Sequence, residues 1–328
     1  MRRRQLLSRL GAGVGIGLPL VGLSGAAWSQ EFPSRPLRIV VPFAPGGLTD
    51  VIARQAAEEL KTELRQAVVV DNRPGASGHI GAEAVAKATP DGTTLALLST
   101  LHAGGAVYQP EIVRYDLMRD FVPLGMLGSS PAMLVARKEL QLRNVADMVA
   151  RAKARPGELS LATVAAYIGE LIEAVADIEL NLILYRGAAA ATNDLLGGNV
   201  DMMSGTASDM MQLLKSGRFV ALGVSGGAVL PYAPEARPIV ETLPRYRGGQ
   251  WYGLYAPAAT PAAIVARLRA ALAGAVQRPD YRARMAQALV APPDLSVEGL
   301  VAEMRASLEV FAQARARRPG RSYAPVRG

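Results

Sequence analysis

Leu37-Arg38-Ile39-Val40-Val41-Pro42-Phe43-Ala44-Pro45-Gly46-Gly47-Leu48-Thr49-Asp50 is the stretch that decides the fold. An apolar run stops at a loop of prolines and glycines. The loop leads directly into residues 51–65, where Val51, Ile52, Ala56, Leu60 and Leu64 share one helical face. The stretch reads as strand, tight loop, helix N-terminus. Such a junction presents unpaired backbone N–H groups and the positive end of a helix dipole. A carboxylate placed there gains roughly 0.3–1 kcal/mol when exposed and up to about 2 when partly buried. Nothing in the loop looks like a nucleophile. Two readings stand side by side: a plain connection between strand and helix, or a cradle that holds an anion without transforming it.

The same unit recurs downstream. Strands are predicted at 67–70 and 93–98, and a helix at 80–88. Between them lie two more polar, glycine-bearing loops, 72–79 and 99–105. Strands and helices that alternate through short loops predict a parallel, doubly wound sheet. In such a sheet the loops after the strands gather at one edge, where ligands bind. Loops 42–50, 72–79 and 99–105 therefore converge. A second α/β unit follows, with strands at 132–136, 159–163, 180–184, 200–203 and 219–224 and helices at 145–154, 167–176, 188–196 and 210–215. Residues 250–257 read as a returning strand, and helices at 262–276, 279–288 and 297–314 finish the chain. Their apolar faces need a sheet to cover, and the first unit lacks its full set of helices. The chain is thus expected to cross out near 125 and back near 252. That makes a discontinuous first domain, 30–126 with 253–314, and a second domain, 127–252.

Both ends stand apart. Arg2, Arg3 and Arg4 precede an apolar stretch over 10–27, and small residues sit at Ala27 and Ser29. This is the pattern of a secretory signal peptide over 1–29, and Arg3-Arg4 resembles a twin-arginine signal. Arg315, Arg317, Arg318, Arg321 and Arg327, with Pro319 and Gly320, predict a flexible tail over 315–328. The formal charge is +8. Setting aside four arginines of the signal (Arg2, Arg3, Arg4, Arg9) and the five of the tail leaves −1, a body without the electrostatic footprint of a nucleic-acid binder. The 328-residue chain has no cysteine, which removes thiol catalysis and cysteine metal sites.

Gly223-Val224-Ser225-Gly226-Gly227 matches the nucleophile-elbow pattern, but Pro231 and Pro234 follow where that motif needs a helix. The chain has two histidines, His79 and His102, both upstream of the serine, so the usual Ser…Asp…His order is impossible. They lack metal-like spacing, and no metal or cofactor is expected. Each lies in a converging loop and can either touch a ligand or cap its loop; capping is the simpler role. Asp50, at a helix start, is likewise either an N-cap or an acceptor for a ligand amino group or water.

Several motifs then fall in register. Residues 33–47 with Asp50 resemble the opening of the Bug-type receptors, the periplasmic substrate-binding proteins of tripartite tricarboxylate transporters. Val69-Val70-Asp71-Asn72-Arg73-Pro74-Gly75-Ala76-Ser77-Gly78 and Thr89-Pro90-Asp91-Gly92-Thr93-Thr94-Leu95 continue the match. So do Tyr185-Arg186-Gly187, Asp194-Leu195-Leu196-Gly197-Gly198 and Trp251-Tyr252-Gly253. The resemblance implies two doubly wound α/β domains of the Venus-flytrap type, with the ligand in the cleft between them. It further implies a monomer without catalysis that captures a small carboxylate in the periplasm for integral-membrane transporter subunits. The alternative is a ligand-sensing partner of a sensor kinase with the same fold. Carried over by position, the ligand contacts are Phe43, Ala44, Gly46, Gly47, Asp50, Ser77, Gly78 and Ser99 in the first domain, with Thr163 and Tyr185 in the second. The chain departs from the family pattern in the short segment 163–167, which lacks a histidine. It also departs at Ser204-Gly205-Thr206, where an aromatic residue is common, and at His79, which replaces asparagine.

Overall fold

The computed structural model describes residues 32–317 other than 165, 186, 227–228 and 292–295, and only the backbone of 166 and 167. The predicted signal peptide (1–29), Arg186, the middle of segment 163–167 and the predicted tail beyond 317 lie outside these residues. In chain order the elements are β1 (Leu37–Val41), α1 (Leu48–Leu64), β2 (Val68–Asn72), α2 (His79–Ala86), β3 (Thr94–Ser99), α3 (Thr100–Tyr108) and β4 (Phe121–Ser130). Then come β5 (Ala132–Arg137), α4 (Val145–Ala154), β6 (Ser160–Thr163), α5 (Ala166–Ala176), β7 (Asn181–Leu184), α6 (Ala188–Gly197), β8 (Met202–Thr206), α7 (Ala207–Lys215) and β9 (Phe219–Val224). The chain closes with α8 (Ile239–Thr242), β10 (Gln250–Pro257), α9 (Ala262–Gln277), α10 (Pro279–Gln287) and α11 (Val297–Arg317).

The strands form two five-stranded sheets, ordered β2-β1-β3-β10-β4 and β7-β6-β8-β5-β9. We call each sheet with its helices a lobe. The first lobe takes its strands from both ends of the chain, as the returning strand at 250–257 suggested. Strand β4 stays in the first sheet to Ser130, paired with Gln250, so the crossing falls at Pro131 rather than near 125. In the first lobe Ile52, Ala56, Leu60 and Leu64 of α1 bury against Ile39, Val41 and Leu95 of the sheet. Each buried leucine or isoleucine contributes roughly 1.5–3 kcal/mol.

The sheets are mixed rather than wholly parallel. β10 runs antiparallel to β3 and β4, and β5 antiparallel to β8 and β9. The reason is the crossing itself. A strand that enters its sheet from the other lobe starts at the edge where its neighbours end. Both entering strands therefore run against their sheets, and the carboxyl ends of β1, β3, β6 and β8 all point at the crossing.

Two further expectations change. Residues 99–105 are not a loop, because α3 begins at Thr100, immediately after β3. Arg315 and Arg317 belong to α11 rather than to a tail. Arg315 lies 3.6 Å from the fully buried carboxylate of Glu170 on α5, with its guanidinium 5.4 Å from the Tyr108 ring of α3. Arg317 donates to the carbonyl of Ala174 at 2.8 Å. These partners are far away in sequence, so arginine content alone suggested solvent. No helix among the described residues is long and apolar enough to cross a membrane.

Ser225 fixes the crossing. Its N–H donates to the carbonyl of Ala132 at 2.7 Å, and its hydroxyl oxygen accepts the Ala132 N–H at 2.8 Å. The hydroxyl is thus a backbone anchor. Ser225→Ala strands a buried N–H and is expected to cost about 1–3 kcal/mol of unfolding free energy. Urea denaturation with unchanged far-ultraviolet circular dichroism checks this; a loss indistinguishable from zero removes the anchor role.

Candidate functional site

The carboxyl ends of β1, β2 and β3 deliver three segments to one edge of the first lobe. Gly47 is the N-cap of α1, in an extended conformation, and no side chain caps this helix. Ala44, Pro45, Gly46 and Gly47 are exposed, and Gly46 has φ +89°, a left-handed conformation that glycine adopts without strain. The first-turn N–H groups of α1 thus open onto an exposed loop.

Asp50 braces that loop from behind. One carboxylate oxygen accepts the Gly46 N–H at 3.0 Å and Nε of Arg54 at 2.9 Å; the other accepts Nδ2 of Asn72 at 3.0 Å. Nδ2 of Asn72 also donates to the carbonyl of Phe43 at 3.1 Å. Burial pushes the Asp50 carboxyl up. The bonds from Arg54, Gly46 and Asn72, with the Arg54 charge, outweigh it and hold the group below the usual carboxylate range. Asp50 is therefore neither the N-cap residue nor turned to solvent: it sits three residues inside the cap and reaches back. Asn72 escaped the sequence reading; its place in Asp71-Asn72-Arg73-Pro74-Gly75 was the available signal.

In the second segment Gly75, Ala76, Ser77 and Gly78 all have positive φ, at +135°, +47°, +55° and +97°. The left-handed conformation costs a residue with a side chain roughly 1–2 kcal/mol, so Ala76 and Ser77 hold strained positions. Ser77 is exposed, and Gly78 is buried. The Arg73 N–H donates to the carbonyl of Val41 at 2.8 Å, which ties this segment to β1. A Cβ on Gly81 would lie 2.9 Å from Pro42 and from the Arg73 carbonyl, so only glycine lets the two segments touch.

Ser99 and His102 cap α3 reciprocally, the Ser99 N–H donating to Nδ1 of His102 at 3.1 Å. Ser99 is wholly buried. The capping role foreseen for His102 thus holds. His79 lies buried beneath the loops, with Nδ1 2.6 Å from the Tyr115 hydroxyl. Phe43, His102, His79 and Tyr115 form a row with ring centroids 5.8 Å apart at each step. Gly105 makes room for it, because a Cβ there would sit 1.8 Å from Nε2 of His79.

In the second lobe, Thr163 ends β6 and is fully buried, and its carbonyl accepts the Tyr185 N–H at 3.0 Å. The Tyr185 ring packs in this lobe's core with Ala162, Ala191 and Met203, and its hydroxyl donates to Asp194 at 2.5 Å. Strand β8 extends to Thr206 and so includes Ser204 and Gly205. At the crossing, Thr100, Ala132, Ile168, Gly249 and Gln250 bound a cavity of about 20 Å³, room for about one water.

Two lobes whose strand ends and helix starts face each other across a double crossing define the class of two-domain periplasmic-type binding proteins. The sequence profile described as "Tripartite tricarboxylate transporter family receptor" matches residues 52–301. BugT of Bordetella pertussis (strain Tohama I) is 33% identical over 309 residues, which cover 90% of this chain and 94% of BugT. MatC from Rhodopseudomonas palustris with bound malate is 27% identical with a TM-score of 0.76, covering 86% of this chain and 99% of MatC. Rpa4515 of R. palustris with adipate is 28% identical with a TM-score of 0.77, covering 88% of this chain and 98% of that one. The chain belongs to the Bug-type tripartite tricarboxylate transporter receptor family, a family of solute-binding receptors.

Burial lowers His79 to about 4; burial and then the neighbouring His79 charge lower His102 to about 3. Both imidazoles are neutral in the folded protein, whereas unfolded ones protonate near about 6.5. Their contribution is complete above that pH. It is lost as pH falls toward the folded values, by up to about 1.4 kcal/mol per pH unit for each histidine. In the histidine NMR spectrum neither C2 proton is expected to titrate near pH 6.5; an inflection there places an imidazole in solvent and refutes the buried pair.

Proposed function

We propose that this chain captures a small carboxylate-bearing solute in the periplasm and passes it to the membrane subunits of a tripartite tricarboxylate-type transporter, without turnover. The observation that carries the proposal is the braced loop of Phe43, Ala44, Gly46 and Gly47. Ala44 through Gly47 are exposed, the loop opens on an uncapped helix N-terminus, and Asp50 behind it is occupied on both oxygens by protein donors. Backbone donors held in place by Asp50 and Asn72 suit a carboxylate, because they need no reorganisation when it arrives. The exposed hydroxyl of Ser77 stands in the adjoining segment as a further donor. Malate in MatC and adipate in Rpa4515 are carboxylates bound by relatives of this fold.

The second lobe supplies the far wall, with the start of α5 after Thr163 and that of α6 after Tyr185. Tyr185 contributes through its backbone, since its ring and hydroxyl are committed within the lobe. Export by the signal at 1–29, and release as a monomer, complete the role.

Thermal-shift and calorimetric titration of the mature protein against mono- and dicarboxylates test this. A ligand at 100 times its Kd is expected to add about 2.7 kcal/mol of stability. Asp50→Ala frees the Gly46 N–H and the Asn72 amide, and is expected to weaken binding about tenfold or more. A flat response to the whole carboxylate panel from folded protein sinks the proposal.

A further inference from the structure

The cavity at the crossing is walled by both lobes and carries hydrogen-bond donors that the protein does not use. Tyr246, in the connection between α8 and β10, lines it. The backbone of Tyr246 is held: its N–H donates to the carbonyl of Leu243 at 2.8 Å, and its carbonyl accepts the Arg247 guanidinium at 2.9 Å. The residue is only 3% exposed, yet its hydroxyl makes no hydrogen bond among the described residues. That hydroxyl lies against Gly248, another wall residue, so closely that a Cβ there would collide with it. Folded proteins pair nearly all their buried polar groups, so a buried hydroxyl left open at a cavity points to something that enters it.

Two more residues of the wall have protons to spare. The Thr100 hydroxyl accepts the Trp251 N–H at 3.0 Å, and its own proton meets no acceptor among the described residues. The Gln250 amide oxygen accepts the Tyr252 hydroxyl at 2.9 Å, which leaves the amide N–H groups over. Leu101, Ile168, Leu171 and Phe311 supply apolar wall, and no charged side chain among the described residues lines the cavity. Thr100 opens α3 and Ile168 lies in the first turn of α5, so the cavity sits between the facing helix starts of the two lobes.

We propose that this cavity takes one uncharged acceptor oxygen on the far end of the solute, with Tyr246 as the residue that selects it. The solute is then an oxo acid: a carboxylate held at the loop of Phe43 to Gly47, on a chain that carries a ketone carbonyl. This rests on carboxylate capture by the first lobe. Size and charge both narrow the occupant. A space of about 20 Å³ admits one oxygen and not the two of a second carboxylate. An ionised group would also shed its water against apolar walls with no charge to replace it. A carbonyl oxygen brings lone pairs and no hydrogen, so it answers the three donors without adding a proton that needs a partner of its own.

The test is calorimetry on the mature protein with 4-oxopentanoate, 5-oxohexanoate and 6-oxoheptanoate. Each is set beside the plain acid and the dicarboxylate of the same chain length. At the length that spans loop to cavity, the oxo acid is expected to bind at least about tenfold tighter than both, about 1.4 kcal/mol. Tyr246→Phe is expected to erase that preference and to leave the melting temperature of the solute-free protein unchanged, since the hydroxyl has no protein partner to lose. Gln250→Glu keeps the acceptor for Tyr252, removes the amide donor and is expected to erase the preference too. Acids that bind with no oxo preference at any length leave carboxylate capture standing and overturn the cavity's role, which is then that of a water site. A preference that survives Tyr246→Phe, or a solute-free Tyr246→Phe protein that melts lower, overturns the role of Tyr246. If no acid of any series binds the folded protein, carboxylate capture itself falls, and the cavity's role with it.

Discussion

Two strands enter a sheet from the wrong end, and the rest of the molecule follows from that. Because β5 and β10 each cross from one lobe to the other, they start where their neighbours finish. The ends of β1, β3, β6 and β8 are thereby turned toward the crossing, and every helix that follows them starts there. The reciprocal pair between Ser225 and Ala132 holds this point with two short hydrogen bonds. Without a fixed crossing the facing helix starts would have no common geometry.

The polar groups nearest the first lobe's loops are used mainly on each other. Asp50 is consumed by Gly46, Arg54 and Asn72, Ser99 by His102, and His79 by Tyr115. Beneath the loops the row from Phe43 to Tyr115 supplies rigid aromatic packing in place of titrating groups. What stays open is backbone, with the exposed hydroxyl of Ser77 beside it. That division suits a receptor, since neutral, immobile donors can hold an anion and let it go again. Both histidines, the residues most suggestive of chemistry, are buried in this packing, with His79 on Tyr115 and His102 on Ser99.

The alternation of strand, loop and helix was legible from the run Leu37–Val41 onward, because apolar periodicity and proline-glycine punctuation are local signals. The return of the chain into the first sheet was legible from the unpartnered apolar faces of the last helices. The start of α3 was not, since the cap at Ser99 depends on an imidazole reaching back from His102, and the glycines at 104 and 105 suggested a loop. Those glycines lie in a helix: Gly105 is small to admit His79, not to turn the chain. Tyr185 carried a family-like motif, yet its hydroxyl is taken by Asp194, nine residues on. Ser225 matched a hydrolase pattern, but its partner Ala132 is close only in space.

The last helix gives the molecule a third connection between its lobes. α11 packs on α3 and β4 of the first and on α5 of the second, with Arg315 set between Glu170 and Tyr108 and Arg317 on the end of α5. Two crossing strands alone make a hinge; a tie placed off the hinge line makes a brace. Any change of angle between the lobes has to slide α5 along α11 or separate a buried carboxylate from its arginine. The final turn of α11 therefore resists a change of angle between the lobes, because one helix holds to both of them.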